Sequence, residues 1–295
     1  MKNILIIGAS GFVGKNLIKY FNDFQIQVGS YVRNTRLDFS NFYTVIHLAG
    51  KADDLKKTSD PEEYYQVNTA LTQKVYDAFL YSDARIFITL SSVKAVADEF
   101  EGLLTEEHTP EPLSHYGKSK LLAEQYILSK EIPKGKRVYI LRPCMIHGPG
   151  NKGNLNLLYN LASKSIPWPL GAFNNKRSFC SIDNLMFIIK EFIERVDIPS
   201  GVYNVADDEA LSTNDVISVL AESLNRTPKI WKVSKRLVKY VAKIGNFFQI
   251  PLNEERLHKL TDSYVVSNKK IKSAVGKPLP VSSKEGLLKT FKSFG

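Results

Sequence analysis

Hydrophobic and polar positions along the chain follow two alternating periods. Short runs rich in Val, Ile, Leu, Phe and Tyr, typical of buried strands, are separated by longer stretches in which apolar residues recur at i, i+3 and i+4, typical of amphipathic helices. Because strands that alternate with helices pair in parallel through right-handed crossovers, the pattern predicts an α/β fold with a doubly wound parallel sheet. The predicted strands are Asn3–Ile7, Gln25–Tyr31, Thr44–His47, Arg85–Leu90 and Arg137–Leu141, and the predicted helices include Gly14–Phe21, Pro61–Leu80 and Tyr116–Ser129.

The regular alternation ends at Gly148-Pro149-Gly150, after which short helices and loops rich in Pro and Asn follow. We therefore expect a larger domain over residues 1–150 and a smaller C-terminal lobe over residues 151–295. Part of segment 177–206 is expected to return to the sheet of the larger domain, with Gly201–Val205 as a strand. A chain of 295 residues is long enough to bury both cores.

Composition indicates an ordinary globular chain, with 43% hydrophobic and 24% charged residues. Cys144 and Cys180 lack the spacing of metal ligands and are too few for a disulfide framework, so we expect buried thiols and no metal site. Only the apolar residues Ile4 to Ile7 precede Gly8, which is too short for a signal peptide. No run of about 18 apolar residues predicts a membrane span, and we expect a cytoplasmic protein.

A glycine-rich turn follows the first predicted strand and opens the first helix. The spacing is GxxGxxG over Gly8, Gly11 and Gly14. In this context the first glycine permits a tight turn, the second lets the backbone approach a pyrophosphate, and the third lets helix and strand pack closely. The helix N-terminus also offers backbone N–H groups to an anion. The turn therefore predicts a dinucleotide site on Gly8, Ser10, Gly11, Phe12, Val13 and Gly14.

The end of the second predicted strand bears on the choice of dinucleotide. An acidic residue here accepts hydrogen bonds from the adenosine ribose of NAD, but this chain has Arg33 within Tyr31-Val32-Arg33-Asn34. A guanidinium pairs readily with a phosphate, so Arg33 favours NADP, whose ribose carries a 2′-phosphate. NAD remains the alternative, with Arg33 lying on the adenine face.

A tyrosine and a lysine four residues apart provide candidate chemistry. Tyr116 and Lys120 lie on one face of the predicted helix. A phenol has a reference pKa near 10, and a nearby ammonium stabilises the phenolate, which makes it a better base near neutral pH. We predict that Tyr116 transfers a proton and that Lys120 tunes it and contacts the nicotinamide ribose.

Two serines end the fourth predicted strand, at the sheet edge where parallel-sheet enzymes place functional groups. A hydroxyl there can share a substrate proton with Tyr116. We assign this role to Ser92, with Ser91 as the alternative and as a cofactor contact. The plainer interpretation is that both hydroxyls satisfy backbone groups at the strand end.

These stretches together resemble the extended short-chain dehydrogenases known as NAD-dependent epimerase/dehydratases. The resemblance covers nearly the whole chain. It rests on the glycine turn, on Val45–Gly50, on YGKSK at Tyr116, on Leu141-Arg142-Pro143 and on His147–Gly150. Asn151–Asn154 and Arg177–Asn184 are most similar to the branch that handles UDP-N-acetylhexosamines and their 4-keto-6-deoxy derivatives.

The resemblance implies further site residues. Leu48, Ala49 and Gly50 would border the cofactor pyrophosphate, Asn68 would lie near the cofactor, and Pro143 would border the nicotinamide. Arg177 would bind the substrate diphosphate, with Asn154 and Arg256 as further contacts. The chain departs from the family in three places: Arg33 replaces the ribose acid, His147 stands where a tyrosine is common, and Ser91-Ser92-Val93 is one serine short.

The resemblance implies redox chemistry at C4 of a nucleotide-activated sugar. A UDP-hexose or UDP-N-acetylhexosamine 4-epimerase fits the family, whereas an NADPH-dependent reductase of a UDP-4-keto-6-deoxy sugar fits Arg33. A non-catalytic dinucleotide sensor is the alternative of another class, which the Tyr116–Lys120 pair argues against.

A basic stretch accounts for part of the net charge of +10. Between residues 226 and 243 there is no acid, and apolar residues alternate with the basic ones, namely Arg226, Lys229, Lys232, Lys235, Arg236, Lys239 and Lys243. A solvated helix packed on the lobe is one interpretation, and peripheral contact of segment 226–248 with an anionic membrane surface is the other. We expect no nucleic-acid partner, because no nucleic-acid-binding fold accompanies the stretch. We also expect a homodimer.

Overall fold

A computed structural model describes residues 3–23, 28–30, 37–52, 60–151, 154–248 and 253–295. The elements of its first half are β1 (Ile4–Ile7), α1 (Phe12–Asp23), β2 (Val28–Ser30), β3 (Thr44–His47), α2 (Pro61–Tyr64), α3 (Leu71–Leu80), β4 (Ile86–Leu90), β5 (Leu103–Leu104), α4 (His115–Leu128) and β6 (Arg137–Pro143). A π-helical turn, Tyr65–Ala70, joins α2 to α3, and a 3₁₀ turn, Val93–Ala95, follows β4.

The second half contains short strands and more helices. They are β7 (Met145–His147), α5 (Asn154–Ser163), β8 (Phe179–Ser181), α6 (Ile182–Glu194), β9 (Gly201–Val205), α7 (Thr213–Ser223), α8 (Lys235–Phe248), α9 (Glu254–Thr261), β10 (Val265–Val266), α10 (Lys269–Val275) and α11 (Ser283–Lys292).

The central sheet has six parallel strands in the order β2-β1-β3-β4-β6-β9. Apolar side chains bury both of its faces: α1 and α6 cover one through Leu17, Phe21 and Phe192, and α3 covers the other through Tyr76 and Phe79. The predicted doubly wound α/β fold is confirmed. Because the strand order reverses between β1 and β3, their carboxyl ends border the crevice where ligands of such sheets bind.

The C-terminal part of the chain builds a separate apolar cluster from α5, α7, α8, α9 and α11. Within segment 177–206, β9 joins the central sheet beside β6, whereas β8 pairs with β7 in a sheet of two strands. Phe179 of β8 belongs to this second cluster, and β8 pairs with β7, which follows β6 after a single residue. The lobe is thus attached at the edge of the sheet where the site is expected.

The predicted helix over Pro61–Leu80 is interrupted by the π-helical turn Tyr65–Ala70. Asn68 and Thr69 are buried there, and their side chains donate to Ser119 of α4 at 3.0 and 2.8 Å. The wider turn lets these two polar residues face α4 together, which hydrophobic periodicity alone does not reveal.

Candidate active site

The glycine turn is pressed against the loop that follows β3. Gly8 has a φ of +96°, and a β carbon at this position would lie 2.5 Å from the backbone nitrogen of Ala49. Leu48 and Ala49 both donate their N–H groups to the carbonyl oxygen of Ile7, at 2.8 and 2.9 Å. Glycine is therefore required at position 8, and the turn and the loop after β3 form one surface.

The glycine turn is exposed to solvent, although the strand β1 that precedes it is buried. Ile4–Ile7 are buried, whereas Ser10 and Gly11 are exposed. The first backbone N–H groups of α1, at Phe12 and Val13, have no partner within a helix by its geometry, so they can receive a phosphate. These residues fit the pyrophosphate of a dinucleotide cofactor. Arg33, predicted to read the ribose, lies outside the described residues.

Lys120 is buried one helical turn after Tyr116. Its Nζ donates to the carbonyl oxygen of Leu90, the last residue of β4, at 2.9 Å. A β carbon at Gly50 would lie 3.0 Å from this Nζ and 3.0 Å from Oδ1 of Asn68, so the loop after β3, the π-helical turn and α4 meet here. Burial lowers the pKa of Lys120 to about 8, although the charge of Glu124 acts in the opposite direction.

The amide of Asn68 connects two of these elements. Oδ1 accepts from the backbone nitrogen of Lys51 at 2.8 Å, while Nδ2 donates to the Lys51 carbonyl at 3.1 Å and to Oγ of Ser119 at 3.0 Å. Asn68 therefore fixes the loop after β3 against the helix that carries Tyr116. The amide thus holds in place two of the surfaces that were predicted to contact the cofactor.

Ser91 and Ser92 have different partners although they are adjacent. The hydroxyl of Ser91 donates to the buried carboxylate of Glu124, which also pairs with the guanidinium of Arg142 at 2.5 Å. Oγ of Ser92 accepts from the backbone nitrogen of Lys94 at 3.2 Å and caps the 3₁₀ turn. Because a hydroxyl can donate while it accepts, Ser92 retains its proton for a ligand. The catalytic assignment of Ser92 stays a prediction.

Gly117 brings the start of α4 against the turn after Ser92. A β carbon at Gly117 would lie 2.8 Å from Cβ of Pro112 and would also overlap the carbonyl oxygen of Lys94. The start of α4 is held by Ser114, whose Oγ accepts from the Gly117 nitrogen at 3.0 Å and donates to Asp98 at 2.6 Å. The backbone that follows Tyr116 is thereby held against the turn after Ser92, and the half-buried Tyr116 ring lies edge-on to Tyr64 at 6.2 Å.

Sequence reasoning missed three of these supporting residues. Glu124 lies four residues after Lys120, so the helical spacing was a usable signal. Asp98 offered none, because it reaches Ser114 across a loop. Gly117 was visible only as part of the YGKSK stretch.

Arg177 is half-buried, and its backbone bridges those of Leu211 and Tyr264. Its Nη1 donates to the carbonyl oxygen of Lys259 near the end of α9, and burial lowers the pKa of its guanidinium. Next to it in a backbone bridge, Tyr264 donates its hydroxyl to the carbonyl of Ala97 at 2.7 Å. The backbone around Arg177 is thus tied to the loop beyond Ser92.

The remaining residues of interest are Pro143, Asn154, Arg256 and His147. Pro143 is buried at the end of β6, paired with Val205 of β9. Asn154 begins α5 and Arg256 lies in α9, but the side chains of both lie outside the described part of the chain. His147 is fully buried, with Nδ1 2.9 Å from Oγ1 of Thr290, and so joins β7 to α11. In this position His147 helps to hold the lobe together.

The expectation of buried thiols is met in the structure. Cys144 and Cys180 are buried free thiols, and burial raises the pKa of both. None of the described helices is long and apolar enough to cross a membrane.

A glycine turn at the switch point of a parallel sheet, with a buried lysine one helical turn from a tyrosine, is the arrangement expected of a nicotinamide-dependent enzyme. Residues 33–206 match the model of the NAD dependent epimerase/dehydratase family. The chain belongs to this family, is an enzyme and uses NAD or NADP as its cofactor.

Two curated relatives and one solved structure illustrate the similarity. A UDP-glucose 4-epimerase of Vibrio cholerae is 30% identical over 99% of this chain and 95% of its own length. An N-acetyl-α-D-glucosaminyl-diphospho-ditrans,octacis-undecaprenol 4-epimerase of Escherichia coli O157:H7 is 33% identical over 76% of this chain and 73% of its own. The crystal structure of a UDP-N-acetylglucosamine 4-epimerase from Bacillus cereus has a TM-score of 0.76 at 18% identity, covering 100% and 98% of the two chains.

Proposed function

We propose that the chain interconverts the C4 epimers of a UDP-hexose or UDP-N-acetylhexosamine. The observation that carries the proposal is the arrangement at the carboxyl edge of the sheet, where Lys120 is anchored to the end of β4 and Gly117 holds the start of α4, which carries Tyr116, against the turn after Ser92. The epimerases among the relatives support the reaction, and the Vibrio cholerae protein supports a UDP-hexose.

The chain's own residues divide the proton chemistry. Tyr116 as phenolate takes the proton of the substrate O4, Ser92 shares that hydrogen bond, and the charge of Lys120 stabilises the phenolate. The nicotinamide of a bound cofactor would supply the hydride chemistry at C4. Rotation of the 4-ketose between the two transfers places its opposite face toward the hydride, and Tyr116 then returns the proton to O4. Arg177 holds the diphosphate while the sugar turns, and Asn154 and Arg256, whose side chains lie outside the described residues, stay predicted contacts.

Reduction of a UDP-4-keto-6-deoxy sugar is the second candidate, and Arg33 favours it. The same residues would act in one direction only, with Tyr116 donating its proton to O4 as hydride reaches C4. A non-catalytic sensor is disfavoured because it has no use for a buried lysine beside a tyrosine.

Separate incubations with each C4 pair, UDP-GlcNAc and UDP-GalNAc or UDP-glucose and UDP-galactose, with and without added NAD or NADPH, test the proposal. NMR should show interconversion of the two sugars without net consumption of cofactor. Stoichiometric loss of NADPH with a 4-keto sugar would identify the reductase instead, and the absence of both reactions would overturn the proposal.

We also propose that the protein is cytoplasmic and forms a homodimer. Two buried, unpaired cysteines are typical of a reducing compartment. Leu122 and Leu128 on α4 are 44% and 58% exposed and offer an apolar surface to a second copy. Light scattering would reveal the dimer, and Leu128→Glu should weaken it. The contact of segment 226–248 with a membrane surface stays a prediction.

A further inference from the structure

The C-terminal lobe contains a cavity of about 730 Å³ that the proposed chemistry leaves unused. It lies between α5, α7 and the chain from Ser165 to Leu170, with walls formed mainly by apolar side chains. Small-molecule sites usually have volumes of about 300–1,000 Å³, and this cavity falls within that range. The apolar lining includes Leu161, Ile166, Trp168, Ala221, Leu224 and Leu260.

Cations stand at the rim of this cavity. Arg226 and Lys229 line it, and no carboxylate is among the described residues that do so. The guanidinium of Arg226 donates to the carbonyl of Ser163 at 2.7 Å and to Oγ of Ser165 at 3.0 Å, so its charge is fixed at the end of α5. A hydrocarbon chain would fit the walls and a negatively charged group would fit the rim.

The chain that forms the rim leads directly into α8, which has three distinct faces. Only Val238 and Ala242 are buried against the lobe among its residues up to Ile244. At about 100° per residue, the solvent side divides into an apolar stripe and a cationic stripe. The apolar stripe contains Leu237, Tyr240 and Val241, exposed by 54%, 64% and 39%, and the cationic stripe contains Lys235, Arg236, Lys239 and Lys243.

Trp231 lies between the cavity rim and α8 and is 60% exposed. Exposed Trp and Tyr beside a stripe of lysines are typical of segments that lie in the interface of an anionic membrane. Leu237, Tyr240 and Val241 are contiguous on one face of α8, and contiguous exposed apolar residues mark an interaction surface. The absence of any acid between residues 226 and 243 gives this segment a single sign of charge.

We propose that residues 226–244 and the adjoining cavity form a binding surface for an anionic membrane lipid. The cationic stripe meets the headgroups, Trp231 and the apolar stripe of α8 enter the headgroup layer, and one lipid chain occupies the cavity. The proposal goes beyond the reaction at C4 and does not depend on which sugar reacts.

The two tryptophans of the chain report separately on the two parts of this surface. Trp168 lines the cavity and is 6% exposed, whereas Trp231 is outside it. Trp168→Phe leaves only the surface reporter, and Trp231→Phe leaves only the cavity reporter. Each variant is mixed with vesicles of phosphatidylcholine, alone or with phosphatidylglycerol, whose acyl chains are brominated to quench tryptophan on contact.

We expect both reporters to be quenched by the anionic vesicles and not by the neutral ones, with the effect reversed by salt. An unquenched Trp231 reporter would overturn the proposal. Quenching of Trp231 without Trp168 would overturn the role of the cavity. Retention of the wild-type chain on double-stranded DNA without vesicle binding would point to nucleic acid and overturn it as well.

Charge and apolar variants test the two stripes separately. Removing Arg236, Lys239 and Lys243 together as Gln should weaken vesicle binding by about 100-fold, since each charge near an anionic surface contributes about fivefold. Leu237→Ser with Tyr240→Ser removes apolar area without adding charge and should abolish binding, whereas the control Val196→Ser, at a position 76% exposed, should not. All variants should keep wild-type turnover of UDP-sugar in solution. If the wild-type protein does not turn over UDP-sugars, the proposed function is refuted, whereas the vesicle results still stand.

Discussion

Lys120 and Leu90 are joined by a hydrogen bond of 2.9 Å from the buried ammonium to the last carbonyl oxygen of β4. The bond places a positive charge at the carboxyl edge of the sheet, where a phenolate and a nicotinamide ribose are expected. Burial of this charge opposes folding, because desolvation disfavours the protonated form. The lysine thus serves the proposed chemistry at the expense of stability.

Replacing Lys120 by Met should abolish activity yet raise the free energy of unfolding near neutral pH. The pKa of Lys120 is lowered from 10.5 to about 8, and a difference of this size corresponds to at most about 3 kcal/mol. Below about pH 8, Lys120 is protonated in both the folded and the unfolded state, and the folded state carries the full desolvation penalty of the buried ammonium. Above about pH 8 the unfolded state binds more protons than the folded state, so the stability of the wild type rises with pH. Urea titration of cofactor-free protein should show the advantage of K120M shrinking between about pH 8 and 10.5. An advantage independent of pH would contradict this.

Tyr116→Phe should lower turnover by about 10² to 10⁴-fold and leave cofactor affinity nearly unchanged, because it removes only the group that transfers the proton. Tyr126→Phe is a matched control on the same helix, since its hydroxyl is bonded to Asp77 at 2.7 Å, away from the site. Steady-state kinetics and cofactor titration measure both effects. Turnover of Tyr116→Phe within tenfold of wild type would exclude the proposed role.

Glu124→Gln should destabilise the fold by about 3–5 kcal/mol, because it leaves the guanidinium of Arg142 buried without its counter-charge. The pair is almost inaccessible, with side chains 2% and 6% exposed. Chemical denaturation measures the loss. The double change Glu124→Leu with Arg142→Met should recover most of the lost free energy of unfolding, because no buried charge is then left unpaired. If it does not, the ion pair stabilises the fold by more than the neutralisation of each charge by the other.

Arg177→Ala should weaken the binding of UDP by about 10 to 150-fold, the range expected when charge-assisted hydrogen bonds of about 1.5–3 kcal/mol are lost. Because Arg177 also donates to Lys259, thermal unfolding must be measured beside calorimetry to separate a lost phosphate contact from a loosened lobe. Arg177→Lys keeps the positive charge but lacks the bidentate guanidinium, so its affinity for UDP should lie between those of the wild type and Arg177→Ala. Equal affinity of wild type and Arg177→Ala for UDP would remove the residue from the substrate site.

Arg33→Asp should shift preference from NADP to NAD, since a carboxylate repels the 2′-phosphate and accepts from a free ribose hydroxyl. Fluorescence titration with NADPH and NADH compares the two proteins. If the unmodified chain binds NADH at least as tightly as NADPH, the assignment of Arg33 fails, and reduction loses its main support against epimerisation.

The sequence by itself determined the features that depend on neighbours along the chain. The strand and helix periods, the glycine turn after β1 and the i, i+4 spacing of Tyr116 and Lys120 are all local, and the structure contains each of them. Each is readable because a helix or strand sets the direction of its side chains over a few residues, whatever surrounds it. The parallel sheet followed from the alternation of these elements.

Only the tertiary structure decided which groups meet. Ser91 and Ser92 look equivalent in sequence, yet one turns to Glu124, 33 residues away, and the other caps the next turn. The π-helical turn at Asn68 and the reach of Tyr264 to Ala97, across 167 residues, were equally hidden. These contacts depend on strand order and on the paths of loops, which bring distant polar groups together wherever burial would otherwise leave them unpaired.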